Sequence, residues 1–370
     1  MKFTCQQENL EKGLNQVYKA VPSKANLPIL SNVHLLAKDG RLRLSATNLD
    51  TSIITFVGAS IEEEGVITVP AKLFRDFVSN LPEGLITISL EKNILKVETD
   101  HNSAKLNTVS ADEYPEVPTM HSDMELLELD SSEFADAVKS VVFAASSDDT
   151  RPVFSGVYVS FTDGVFSIVA SDGFRLSEKT LNLDTKFSSS FSAVIPAKTL
   201  LEVSRLISPE EPTAISLDSR SNLVMFKNQD VIVGTRIIEG QFPDYKRIIP
   251  SEYSVEVEME FSDLLSAVRL ADVFAQQVDS SMKLKLDSEG LVHVSASSPE
   301  SGEHTSSFSA AVDGEELEII LNSKYLLDFL NNIGSKKICL RTQSSLSPCV
   351  LVPLEKENFI HIIMPRQNRD

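Results

Sequence analysis

Residues 69–81 read VPAKLFRDFVSNL, residues 195–207 read IPAKTLLEVSRLI, and residues 321–333 read LNSKYLLDFLNNI. The three stretches start at equal intervals. Each runs from an apolar residue through a Pro-Ala or Asn-Ser step to a lysine and then a helical pattern. Self-similarity at a fixed period marks a chain made of tandem copies of one unit, here three. Pro70 and Pro196 are expected at the first helical position, where a missing N–H costs nothing; Asn322 can cap the third copy instead. Apolar columns follow at Phe74, Leu200 and Leu326, at Phe77, Val203 and Phe329, and at Leu81, Ile207 and Ile333. That i, i+3, i+7 spacing is the buried stripe of an amphipathic helix.

Polar columns coincide too: Lys72, Lys198 and Lys324, then Asp76, Glu202 and Asp328 four residues on. A cation in the first turn opposes the helix dipole, and Lys ahead of an acid is the poorer order for such a pair, each effect being about a few tenths of a kcal/mol. Two readings of the lysine column are open: inheritance on a solvated helix face, or use against an anion.

A second helix opens each copy, at 8–21, 132–146 and 262–276. Its stripe runs through Leu10, Phe134 and Leu264, then Gly13, Ala137 and Ala267, then Leu14, Val138 and Val268. Ser131 and Ser262 are the expected N-caps. Alternating segments at 41–53, 165–177 and 291–303 pass through a shared alanine (Ala46, Ala170, Ala296) and read as strands with one buried face; further strands flank the signature helix, joined by Asp/Gly/Asn turns. The expected fold class is α+β, three tandem repeats of one domain with two helices packed on antiparallel sheet. Proline-punctuated joints at 114–124 and 242–254 place the domains at 1–122, 123–250 and 251–370.

With 42% hydrophobic and 24% charged residues the 370-residue chain has the composition of a soluble globular protein. The net charge of −19 argues against wrapping a polyanion with the whole surface. Across the six helical segments, however, basic and acidic residues balance. A neutral helix surface within so acidic a chain suits a polyanion, although chance distribution of charge is the alternative. The three widely spaced cysteines (Cys5, Cys339, Cys349) give no disulfide framework, the N-terminal MKFTCQQENLEKG has no signal-peptide core, and no apolar run reaches membrane-spanning length. A cytoplasmic protein is expected.

No phosphate-binding glycine loop, dinucleotide fingerprint, zinc-protease helix or nucleophile elbow occurs, and the six histidines lack metal-ligand spacing. The chain reads as a non-enzyme without metal or cofactor. Two stretches break the repeat. SDGFRL (171–176) stands where its siblings have TNLDTS and SSPESG, and FPDYKRIIP (242–250) is longer than EYPEVP. Phe174, Leu176, Pro243 and Ile248, beside Arg175 and Arg247, either bury one another at a domain joint or form an apolar groove with arginines at its rim, suited to a peptide anchor.

MKFTC (1–5), PILSN (28–32), VPAK-x-F (69–74), LPEG (81–84), SDGFRL, EGQFPDYKRIIP (239–250) and IIMP (362–365) together resemble the bacterial sliding clamp, the beta subunit of the replicative DNA polymerase III, in order along the whole chain. The resemblance implies a head-to-tail homodimer closing a six-domain ring, helices lining the hole, duplex DNA inside and the polymerase tethered. Lys72, Lys198 and Lys324, with Arg75, Lys139, Arg205, Arg269 and the loop residue Lys24, would then meet phosphates. Such contacts carry no sequence information, as a sliding device requires. The family's peptide pocket maps onto Phe154, Ser171, Gly173, Phe174, Arg175, Leu176, Pro243, Arg247, Ile248, Ile362, Ile363, Met364 and Pro365. Polymerase, clamp loader and other proteins carrying a Gln/Leu/Phe-rich motif would be its partners. The dimer seam maps onto Ala104 and Leu106 against Val273 and Phe274; the last two could equally be core residues. Three departures stand out. Phe154 and Phe174 replace the Leu and His of many members, Arg366 follows Pro365 where an apolar residue is usual, and Asp148 and Asp149 make a loop expected near DNA acidic. The rivals are a scaffold binding proteins alone and an enzyme with an unrecognised acid/base pair.

Overall fold

The computed structural model describes residues 1–367 other than Ser122, Asp149, Lys186, Ser219 and Arg220. The described residues form six α-helices: α1 (Gln7–Val17), α2 (Ala71–Ser79), α3 (Ser131–Val142), α4 (Ala197–Leu206), α5 (Phe261–Ala275) and α6 (Ser323–Asn332). Every strand pairing among them is antiparallel. The helix columns fall where the periodicity puts them. Leu10, Leu14, Phe134, Val138, Leu264 and Val268 are buried, as are Phe74, Leu200 and Leu326. Burying one such side chain contributes roughly 1.5–3 kcal/mol.

The first two signature helices begin one residue later than expected. Pro70 ends the strand Gly65–Pro70, pairs with Asn32, and only caps α2, which starts at Ala71; Pro196 likewise ends the strand Phe191–Pro196. Both are edge strands, where a residue without an N–H leaves no ladder donor missing. In α2 Val78 takes the core position, and Phe77 and Leu81 are only half-buried. The serine caps are displaced too. Asp130 Oδ1 accepts from Glu133 N at 2.9 Å, so Asp130 caps α3, while Ser131 Oγ donates to Glu211 O. α5 starts at Phe261 with no side-chain cap, and Ser262 lies inside its first turn. Asn322 does cap α6, accepting from Lys324 N at 3.0 Å and Tyr325 N at 3.3 Å. Asn322→Ala is expected to lower stability by about 1 kcal/mol in urea unfolding; an unmoved midpoint would mean the cap contributes nothing.

The described residues divide into two compact units, Met1–Ala135 with Glu202–Ile237, and Asp136–Leu201 with Ile238–Asp370. The first holds a five-stranded sheet and an eight-stranded sheet, the second a nine-stranded and a four-stranded one. The wide sheets explain why the units cross the repeat boundaries. In the first unit Val231–Arg236, the last strand of the second repeat, pairs with Thr51–Gly58 of the first. In the second unit Phe359–Ile363, the last strand of the third repeat, pairs with Arg175–Asn182 of the second, Ile362 opposite Leu176.

Within the first unit α1 lies on strands Arg41–Thr47 and Thr51–Gly58 beside α2. A Cβ at Gly13 would stand 2.8 Å from Val57 Cγ2, so this helix approaches its sheet more closely than the alanines at the equivalent positions of α3 and α5 need allow. Asp39-Gly40 and Asp163-Gly164 have positive φ at both residues, the backbone a tight hairpin demands.

Candidate functional site

The loop that breaks the repeat is a tightly bonded turn in the second unit. Ser171 Oγ donates to Arg175 O at 2.7 Å and accepts from Gly173 N at 3.0 Å. Asp172 Oδ1 accepts from Phe174 N at 2.9 Å and Arg175 N at 3.0 Å. Gly173, at φ +92°, is where the chain must turn left-handed. With its amides satisfied the turn holds the Phe174 ring outward, 57% exposed, and Phe174 O accepts from Met364 N at 2.8 Å, laying the end of the terminal strand beside it.

Beneath lies an apolar floor of Leu176 and Ile362, continuous with buried Val169, Val194 and Val350. The linker closes the other side. Phe242 stacks on Tyr158 with ring centres 5.2 Å apart and meets Phe154 at 6.2 Å. Tyr245 OH donates to Glu178 Oε1 at 2.7 Å. Burial, then that carboxylate, push the phenol's pKa up, so it stays a neutral donor. The result is an open cavity of about 200 Å³ lined by Phe154, Ser171, Gly173, Phe174, Arg175, Leu176, Phe242, Pro243, Asp244, Tyr245, Ile248, Ile362 and Met364. Mostly apolar walls with a few polar groups suit the capture of a short apolar segment.

Ten of the thirteen expected pocket residues thus line one cavity, and three do not. Arg247 points to solvent and pairs with Asp244 at 2.7 Å. Ile363 follows Ile362 on the strand, so its side chain takes the opposite face, where it is fully buried. Pro365 lies outside the lining. Arg175 is no rim group. It is 9% exposed, its Nη1 donates to Asp328 Oδ2 of α6 at 2.5 Å, and its guanidinium lies 4.5 Å over the Tyr325 ring. Its Nε stands 3.2 Å from Asp172 Oδ2, close enough for an ion pair but not aligned as a hydrogen bond. Arg366 leaves the pocket wall intact: its backbone N donates to Ile320 O, and its guanidinium to Asp279 O and Ser281 Oγ. Sequence reasoning overlooked Phe242, Asp244 and Tyr245, although the aromatic pair inside FPDY was the available signal.

The turn has a twin in the first unit. Thr47 Oγ1 donates to Thr51 O and accepts from Leu49 N, while Asn48 Oδ1 accepts from Asp50 N and Thr51 N. Leu49, at φ +79°, occupies the position of Gly173. Arg236 stands where Met364 does: its N donates to Asp50 O and its Nε to Leu49 O at 3.2 Å. Linker residues Tyr114, Val117, Met120 and Met124 pack over Ile54, Met225 and Ile232 nearby.

The column lysines Lys72, Lys198 and Lys324 are exposed, as are Lys24, Lys139, Arg205 and Arg269. The acid column does not neutralise them. Asp76 pairs with Arg75 at 2.5 Å, Glu202 with Arg205 at 3.1 Å, and Asp328 with Arg175. Among the described residues none of the three lysines forms an ion pair. Arg75 is partly withdrawn, half-buried and 3.8 Å over the Tyr18 ring; Arg269 Nη2 donates to Asn331 Oδ1 at 3.1 Å. Asp148 is held as a carboxylate by Thr150, whose N and Oγ1 both donate to it. Asp149 and residues 368–370 lie outside the described residues.

Ala104 is half-buried on Ser103–Asn107, the edge of the five-stranded sheet, but Leu106 is 6% exposed and belongs to its own core. Val273 is 54% exposed on α5, whereas Phe274 stacks on His304 at 6.0 Å. Among the described residues no group of His, Cys, Asp and Glu could hold a metal ion, and no helix is long and apolar enough to cross a membrane.

Sequence profiles of the DNA polymerase III beta subunit match end to end: the N-terminal domain over residues 1–118, the central domain over 128–244 and the C-terminal domain over 246–367. The chain belongs to the bacterial beta sliding clamp family. It is 33% identical to the beta sliding clamp of Synechococcus elongatus over 376 residues, covering 100% of both chains. The Bacillus subtilis clamp is 27% identical with 99% of each covered. Among solved structures, the B. subtilis clamp superposes with TM-score 0.94 at 26% identity, covering 100% of this chain and 99% of that one. A Pseudomonas aeruginosa clamp bound to griselimycin superposes with TM-score 0.94 at 27% identity and 100% coverage of both. The chain is therefore a three-domain DNA sliding clamp, a processivity factor and not an enzyme, with DNA and the polymerase as its partners.

Proposed function

We propose that two copies of this clamp close head to tail into a six-domain ring around duplex DNA in the cytoplasm, and that each copy holds its partners by a short Gln/Leu/Phe-rich peptide seated between Phe174, Phe242 and Met364. Domain limits of 1–122, 123–250 and 251–370 fit this arrangement. The pocket carries the peptide reading: it is open, mostly apolar and walled by aromatic rings. The griselimycin complex of the P. aeruginosa clamp supports a ligand site on this fold.

The column lysines carry the DNA reading. Each lies beside an acid already committed to an arginine, so its charge is available to a phosphate. Lys24, Lys139, Arg205 and Arg269 would add to them, with Arg75 contributing less. The seam is proposed between the edge strand bearing Ala104 and the α5 surface bearing Val273; buried Leu106 would support that edge from behind.

Two measurements test this. Loaded by a cognate loader on nicked circular DNA, the clamp should stay bound through high salt and be lost once the circle is cut; loss at moderate salt from circle and line alike would refute encirclement. Replacing Lys72, Lys198 and Lys324 together by Ala should flatten the salt dependence of direct DNA binding, by about 0.9 in the log–log slope for each phosphate left without its lysine. An unchanged slope would remove the lysine column from the interface.

A further inference from the structure

We propose that Asp328 of α6, acting through Arg175, is a positioning residue for the pocket rim, so that a helix of the third repeat sets the shape in which the second repeat presents Phe174. This rests on the peptide reading of the pocket.

The two twin turns differ in how they are clamped. Both use the same hydroxyl and Asx bonds, yet the first is also held by the Arg236 guanidinium on Leu49 O. In the second, Met364 stands at that position and brings only its backbone N–H. Its side-chain clamps are different ones: Arg151 Nη2 donates to Asp172 O at 3.0 Å, and a second hold comes from α6. Arg175, where the first turn has Thr51, reaches from the turn to Asp328 Oδ2, with the Tyr325 ring one turn earlier on α6 beneath its guanidinium.

Arg175 also balances the buried charge of Asp172, the carboxylate that accepts from both Phe174 N and Arg175 N. Removing the Asp328 charge leaves one arginine shared between a misaligned ion pair and a ring. A buried charge that loses a partner relaxes toward water, and Arg175, 3.2 Å from Asp172 Oδ2, would pull on Asp172 and the turn it caps as it does so. Phe174 would lose its fixed direction while the apolar floor stayed intact.

The test uses full-length protein, a fluorescein-labelled pentapeptide containing Gln, Leu and Phe, and backbone amide exchange. Asp328→Asn, with thermal melts as the folding control, should weaken peptide binding about tenfold and speed exchange at Phe174 and Arg175 by a similar factor, leaving amides of α5 unchanged. Asp328→Glu should recover most of both. In an Arg175→Met background, Asp328→Asn should cost nothing more, which loss of helix stability alone would not produce. Asp328→Asn with wild-type affinity and wild-type exchange overturns the proposal and leaves the peptide pocket standing. If the wild-type protein ignores the peptide while exchange still quickens in Asp328→Asn, the peptide reading falls and the positioning role survives. If neither happens, both fall.

Discussion

Phe174→Ala combined with Met364→Ala is expected to weaken binding of the same peptide by at least about a hundredfold, with little change in thermal stability. Phe174 offers a large ring already exposed, so truncation opens no core cavity and the unfolding midpoint should move little. For a peptide the ring is a wall against which an apolar anchor loses water, and anchors of this kind cost about 2 kcal/mol or more when truncated. Met364 supplies the adjoining wall with an unbranched thioether that can adapt to different occupants. The two changes should not simply add. Their backbones are tied by Met364 N to Phe174 O, a bond that survives both truncations, and each wall shapes the contact made by the other. Fluorescence anisotropy would decide it, and affinity within twofold of wild type would mean that the cavity is not where the peptide sits.

The second large effect is acid sensitivity of the second unit. His361 is fully buried, its Nδ1 2.7 Å from Ser177 Oγ, its Nε2 without a hydrogen-bond partner, its ring stacked 4.9 Å from Phe329. Burial first, and the charge of Arg175 second, push its pKa down to about 3. Unfolded, the same imidazole titrates at about 6.5. Between these values the unfolded chain holds a proton that the folded chain does not, so stability rises with pH in that window and falls as pH drops from about 6.5 toward 3. One such proton corresponds to about 1.4 kcal/mol per pH unit. His34 acts in the same direction in the first unit, its pKa lowered to about 4 by burial and then by Arg43. Urea unfolding of wild type and His361→Gln at stepped pH from 7.5 to 4 measures this directly. The variant should lose stability more shallowly on acidification. Parallel curves would mean that His361 does not carry the dependence.

Much of this architecture is legible in the sequence because it is periodic. Three copies of one helix pattern expose their buried columns and their lysines, and the hairpin turns announce themselves as Asp-Gly. What is not legible is set by partners remote in sequence. Asp328 lies 153 residues from Arg175, so an arginine beside a glycine turn reads as a solvated rim group when it is in fact a buried strut. The same limit hides the pairing of each wide sheet across a repeat boundary. Errors of one residue at Pro70 and Ser131, and of two at Ser262, arise where strand pairing and capping compete over nearby positions that both suit a helix start. Ile363 follows from alternation along a strand whose register the sequence alone leaves open.

The twin turns also bear on how many guests one chain can entertain. Tandem copying would be expected to repeat a docking port along with everything else, yet the Arg236 guanidinium pins the first turn at Leu49 O and the linker around Tyr114 and Met120 packs close by, while the second turn opens beside a thioether. The same backbone thus serves once as masonry and once as a doorway. On the peptide reading, proteins seeking that doorway must share it, so traffic on the DNA is ordered by who leaves first as well as by how many can crowd aboard.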